Sequence, residues 1–188
     1  MSIVLVGSTS GSITLQEPAV AGTTVLDLPA VSGTILTTTS PKAGNVIQVV
    51  QGTTTINVTS STTSYADTGL TATITPTSSS SKILVLISHT NNYKTNGSSG
   101  NALFLNLCRN GSQIIQFVSE LGYTATTLGL YFGSSFNYQD SPATTSATTY
   151  KTQLKNAIAA GTVAVQANDN MSTITLLEIA AGLMLSIN

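Results

Sequence analysis

A short stretch near the start of the chain occurs twice: PAVAGTT at Pro18–Thr24 returns as PAVSGTI at Pro29–Ile35. The copies begin eleven residues apart and their flanks correspond, with Ile13-Thr14-Leu15 ahead of the first and Thr24-Val25-Leu26 ahead of the second. A repeat this short cannot bury its own apolar side chains, so it must pack on its copy, on another chain, or on both. The repeat points to assembly before it points to chemistry.

Charge narrows the choice further. Only 7% of the residues are charged, where an ordinary soluble domain has about a quarter. Ser and Thr, roughly three residues in ten, keep the surface wet instead. Lys42, Lys82, Lys94, Arg109, Lys151 and Lys155 are scattered singly around a net charge of −1. There is no basic stripe to neutralise phosphates, and nucleic acid is not an expected partner. The mean hydropathy is +0.27 although no transmembrane run exists. No membrane insertion is expected, and part of the apolar surface should be buried between subunits. Disorder goes with low hydrophobicity and high net charge, whereas 41% of this chain is hydrophobic. A lone Cys108 excludes an internal disulfide, and one Cys with one His cannot build a zinc site. The opening MSIVLV lacks the basic and long apolar regions of a signal peptide, so synthesis without that secretion route is expected.

The pattern along the chain is that of short strands. Residues 1–41 form a segment of alternating apolar and hydroxyl residues punctuated by Gly and Pro, with strands expected at Ile3–Val6, Ser12–Gln16, Thr23–Leu28 and Thr34–Thr38. Pro41 marks the junction, because it biases Ser40 away from helix and the repeat ends there. From 42 to 188 the segments lengthen. Strands are expected at Val46–Val50, Thr54–Val58 and Leu70–Thr75, with Asp67-Thr68-Gly69 as a turn. The continuous apolar run Lys82–Ser88, KILVLIS, reads as a central strand covered on both faces. Ala102–Cys108 and Gln113–Val118 flank Asn110-Gly111, a type I′ hairpin signature. Leu128–Asn137, Thr148–Leu154, Thr162–Gln166 and Thr173–Ile179 complete the strands, and only Thr152–Ala160 has a helical look. Many short strands separated by turns indicate an all-β sandwich or barrel of antiparallel sheets. Two segments read as exposed tips: Thr90–Gly100, with Asn91, Asn92, Tyr93, Lys94 and Asn96, and Gly133–Ser146, with Phe136 and Tyr138. They are the candidate receptor-contact loops. Tyr131 and Phe132 read instead as members of a core strand.

No catalytic constellation is legible. His89 is the only histidine and reads as a strand-end residue with hydrogen-bond partners rather than a general base. The nucleophile pattern G-x-S-x-G is missing: Gly7-Ser8-Thr9-Ser10-Gly11 carries threonine at its centre. Phosphate-binding glycine motifs are also missing. The seven Asp and Glu are spread through the chain without the sugar-stacking Trp of a typical glycosidase cleft. Asn168-Asp169-Asn170 offers oxygen ligands but reads as a polar turn. No enzyme activity, cofactor or metal is expected.

Three stretches carry a resemblance. Gly7–Gln51 (GSTSGSITLQEPAVAGTTVLDLPAVSGTILTTTSPKAGNVIQVVQ), Tyr65–Ser88 (YADTGLTATITPTSSSSKILVLIS) and Ser172–Ile179 (STITLLEI), in that order, resemble structural proteins of tailed bacteriophages, of the fibre and appendage type found in marine and cyanobacterial phages. The resemblance implies a virion protein with an N-terminal segment that attaches to the particle or intertwines in a homotrimer. It also implies a jelly-roll-like β-sandwich that trimerises in the manner of C1q or tumour necrosis factor heads. Leu15, Pro18, Val20, Leu26, Leu28, Pro29, Val31 and Ile35 are then the candidate attachment and trimer residues. The implied partners are further copies of the chain, other virion proteins of tail, baseplate or capsid, and a host cell-surface glycan or protein. A capsid decoration, cement or head-fibre protein is the alternative. The apolar extension AAGLMLSIN beyond Ile179 departs from the pattern and leaves the exact role open.

Overall fold

The computed structural model describes residues 2–6, 10, 12–16 and 42–181. The chain divides into two compact units, Met1–Ile35 and Leu36–Asn188. In the first, β1 (Ser2–Val6) and β2 (Ser12–Gln16) pair antiparallel, with Ser2 opposite Gln16 and Val6 opposite Ser12. The expected strands Thr23–Leu28 and Thr34–Thr38, and both copies of the repeat, lie outside the described residues.

The second unit is all-β. Its strands are β3 (Val46–Thr54), β4 (Val58–Ser60), β5 (Ala66–Ile74), β6 (Lys82–Lys94), β7 (Leu103–Arg109), β8 (Ser112–Leu121), β9 (Leu130–Asp140), β10 (Thr148–Asn156), β11 (Val163–Val165) and β12 (Ser172–Ile179). One sheet has the order β5-β10-β7-β8. The other has β12 and β9 on either side of β6 and β3 beyond β12, with the short pair β11-β4 attached to the last residues of β6. The pairings are antiparallel, as the strand pattern led one to expect, and the chain winds between the sheets in the jelly-roll order that the resemblance implied.

Period-two burial builds the sandwich. Leu70, Ala72 and Ile74 of β5 face Ile83, Val85 and Ile87 of β6 and Ile174 and Leu176 of β12, while Leu103, Leu105, Leu154, Val163 and Val165 form a second cluster. An ion pair ties the sheets at one end. Arg109 in β7 donates through Nη1 to both oxygens of Asp140 in β9 (2.9 and 2.8 Å), and the buried Tyr150 hydroxyl of β10 donates to Asp140 Oδ2 at 2.6 Å. Burial, followed by that bond to Asp140, pushes the Tyr150 phenol far above its ordinary range. The Asn110-Gly111 turn has positive φ at both residues, 49° and 86°, as a type I′ hairpin requires.

Four expectations need correcting. Asp67-Thr68-Gly69 is no turn but lies inside β5, where the register against β10 slips between Lys151 and Gln153 and Gly69 adopts φ 79°. Thr54–Val58 is not one strand: β3 ends at Thr54 and β4 starts at Val58. Thr152–Ala160 is not helical, because β10 runs through Asn156 with strict in-out alternation. KILVLIS is central, yet Leu84 and Leu86 on its outer side are only partly covered.

Candidate functional site

Two ends of the sandwich can be told apart from the register. Gly44 and Asn45 exchange hydrogen bonds with Ala180, so residues 42–45 and 180–181 leave the domain side by side. Ile179 pairs with Val46 and Lys82, and Ile83 with Asp140, which places those strand ends at the same edge. The loops after Lys94, before Leu130 and after Asn156 lie at the opposite, distal end.

Only one of the five candidates in Thr90–Gly100 is an exposed loop residue. Asn96 is exposed beyond the end of β6. Asn91 sits at a bulge with φ 48° and donates to Ala167 O at 2.5 Å. Asn92 is fully buried and donates to Ser134 Oγ at 3.1 Å. Lys94 is fully buried too, its Nζ donating to Thr124 Oγ1 (2.5 Å) and Thr126 O (3.3 Å). The strand persists through this polar stretch because its side chains find partners inside the fold. Tyr93 points outward and stacks on its cross-strand partner Tyr131, with ring centroids 4.3 Å apart. Tyr131 is 57% exposed, so its expected place in the core is also corrected. Phe136 and Tyr138 are not at a tip either. They lie in β9, half-buried against the core, with Phe136 stacked on Phe117 at 5.0 Å. Leu15 lies in β2 opposite Ile3. Pro18, Val20, Leu26, Leu28, Pro29, Val31 and Ile35 lie outside the described residues.

The outer sides of the two sheets differ in chemistry. On the β3-β12-β6-β9 sheet, Val49, Leu177 and Leu84 stand in one cross-strand row, and Leu86 opposes Thr175 in the next. Val49 is 58% and Leu86 39% exposed. Gln51, Thr53, Asn137 and Gln139 surround them, all exposed. The one charge among the described residues facing outward from these four strands is Lys82 at their end, donating to Ser141 Oγ at 2.8 Å. The β5-β10-β7-β8 sheet carries ions instead. Lys151 Nζ donates to Asp67 Oδ2 at 2.6 Å and Gln153 Nε2 to Asp67 Oδ1 at 2.8 Å. Those bonds, Lys151 first, hold the Asp67 carboxyl below its ordinary value. Lys155 lies 4.9 Å from the ring centres of both Tyr65 and Phe104. A cavity of about 240 Å³, lined by Asp67, Gly69, Leu70, Thr71, Lys151 and Thr152, opens at the register slip. The sequence reading passed over these residues. Their signal was the alternation of Lys151, Gln153 and Lys155 along one strand side.

Beneath that cavity a polar seam crosses the core. Gln166 Nε2 donates to His89 Nδ1 (3.0 Å), leaving His89 Nε2 to donate to Thr152 Oγ1 (2.9 Å), which lies 2.6 Å from Thr68 Oγ1. Thr68 Oγ1 in turn donates to Thr152 O at 3.1 Å. His89 has the hydrogen-bond partners expected of it, though it sits within β6 rather than at its end. Burial lowers its pKa from 6.5 to about 4, so the ring is neutral near pH 7. Among the described residues no group of three or more His, Cys, Asp or Glu could hold a metal ion, and no helix is long and apolar enough to cross a membrane.

No protein-family model matches the chain, and no curated protein does. Among solved structures, the chain is similar to the VP2 subviral particle of infectious bursal disease virus, at a TM-score of 0.43 and 15% identity over 82% of this chain and 42% of that one. It is also similar to a chain of that virus's intact particle, at a TM-score of 0.42 and 14% identity over 92% and 42%. The chain thus spans less than half the length of these viral chains, and a likeness this remote carries nothing about partners or assembly.

Proposed function

We propose that this chain is a non-enzymatic virion structural protein, a homotrimeric tail fibre or appendage that attaches through residues 1–41 and meets the host surface with its distal loops. The observation that carries the assembly is the outer side of the β3-β12-β6-β9 sheet, where among the described residues Lys82 at the strand end is the one charge. Leu84, Leu86, Leu177 and Val49 form an apolar centre there, and Gln51, Thr53, Asn137 and Gln139 a polar rim. Loss of charge at the centre with amides and hydroxyls around it is the anatomy of a subunit contact. The other sheet, which carries Asp67, Lys151 and Lys155, is suited to solvent. Residues 42–45 enter the sandwich at one end, and the loop with Asn96 and the Tyr93–Tyr131 pair lie at its other end. Three copies on one particle would bring three weak contacts to bear on a host surface together.

Removing residues 1–41 tests the attachment role. The truncated chain should still fold and associate but fail to enter particles. Incorporation at the normal level would contradict the reading. Imaging particles that carry a tag in the Asn96 loop separates a tail position from the alternative on the head shell.

A further inference from the structure

The cavity at the register slip between β5 and β10 is not used by the assembly reading. Its rim is the Asp67–Lys151 pair, whose side chains keep 53% and 26% of their surface open. Leu70 and Thr71 also line it, and Gly69 contributes no side chain to it. A Cβ on Gly69 would meet only Thr54 Oγ1, at 3.7 Å. Thr152, also in the lining, has its hydroxyl held on the core side by Thr68 and His89. Gln153 Nε2, held on Asp67 Oδ1 at 2.8 Å, keeps a second amide proton beside the pair, while its oxygen accepts from Cys108 Sγ at 3.3 Å.

Each element of the rim restricts the ligand. A carboxylate only accepts hydrogen bonds and an ammonium only donates them, and here the two stand 2.6 Å apart with no net charge between them. An anion would meet Asp67, and a cation would meet Lys151. The matching ligand is uncharged and carries neighbouring groups that each donate and accept, which is what adjacent hydroxyls on a sugar ring do. One row along the same outer side stands Tyr65, with Lys155 over its ring and its hydroxyl donating to Gln116 Oε1 at 2.8 Å. It supplies an apolar surface for the ring carbons of a longer glycan.

We infer that this notch binds a neutral saccharide, with one hydroxyl donating to Asp67 and its neighbour accepting from Lys151. The inference rests on the virion reading only in requiring that this sheet face solvent in the assembled protein.

The test is a titration of the isotope-labelled full chain with glucose, galactose, mannose and N-acetylglucosamine, followed by amide chemical shifts. At least one of the four should move Gly69, Thr71 and Lys151 with millimolar affinity, the range open to a small ligand with few contacts. Asp67→Ala and Lys151→Ala should each weaken that binding about tenfold or more, and Thr145→Ala, at an exposed position in the connection between β9 and β10, should not. Asp67→Asn keeps the side-chain shape and serves if Asp67→Ala loses its fold. Glucose 6-phosphate should bind no better than glucose. Shifts absent from those amides with all four sugars, or unchanged by Asp67→Asn and Lys151→Ala, would overturn the inference. A trimer that binds no sugar would remove the notch and leave the assembly, whereas a monomer that binds would do the reverse.

Discussion

A Cβ placed on Gly52 of β3 would lie 1.9 Å from the carbonyl oxygen of Thr71 in β5, so the two sheets meet there backbone to backbone. No side chain can enter without moving a strand. Gly52→Ala should therefore cost about 3 kcal/mol or more, the size of a serious overpacking error, where alanine would ordinarily favour a strand over glycine. A urea titration followed by circular dichroism reads this directly, and a cost below about 1 kcal/mol would mean that the strands do not meet there.

His89 makes stability depend on pH. The unfolded chain takes up the proton near 6.5, the buried ring only near about 4. Between those values the unfolded state binds more protons, so stability is full above 6.5 and falls as pH drops toward 4. The loss should reach about 2 kcal/mol between pH 7 and pH 5. His89→Gln should be less stable at pH 7 but flat over that interval. The Asp67 and Glu178 carboxyls also contribute, but lower down. Burial pushes Glu178 up, yet hydrogen bonds, those from Gln48 and Thr77 among them, outweigh it and hold the carboxyl below its ordinary 4.5. Asp67 lies below its ordinary 3.8. Their stabilisation is present above those ordinary values and is lost as pH falls below them, under the interval from pH 7 to pH 5 that reads out His89.

Lys94 is fully buried with Thr124 and Thr126 as its hydrogen-bond partners and, among the described residues, no carboxylate. An ammonium held this way is a cost that packing has absorbed. Lys94→Met should be neutral or stabilise by about 1 kcal/mol, while Thr124→Val, which strands the charge, should destabilise by about 1–2 kcal/mol. Thermal melts of the two variants should move apart; melts moving down together would show the ammonium to be stabilising.

The fold class, the order of strands and the Asn110-Gly111 hairpin were readable because turn chemistry and period two are local properties. What failed depended on context. The Asn91–Lys94 stretch is polar and so resembles a loop, but Asn92 and Lys94 turn inward to Ser134 and Thr124. The phase of β9 decides which aromatics are covered: Phe136 and Tyr138 face the core, and Tyr131 faces out. In KILVLIS, an apolar run shows that both sides of a strand avoid water, without saying whether the second side is covered by the same chain. Asp67 and Lys151 are far apart in sequence and met only through the β5–β10 pairing.

That second side of β6 is where the account is most exposed to test. The mass of the purified full chain in solution, by light scattering behind a sizing column at micromolar concentration, should be three times 19.3 kDa. Leu86→Asp, which places a charge at the centre of the apolar rows without touching the core, should bring the mass down to a single folded chain. A monomeric wild-type chain, or a Leu86→Asp variant that keeps the trimer mass, would contradict the assembly on which the proposed function stands.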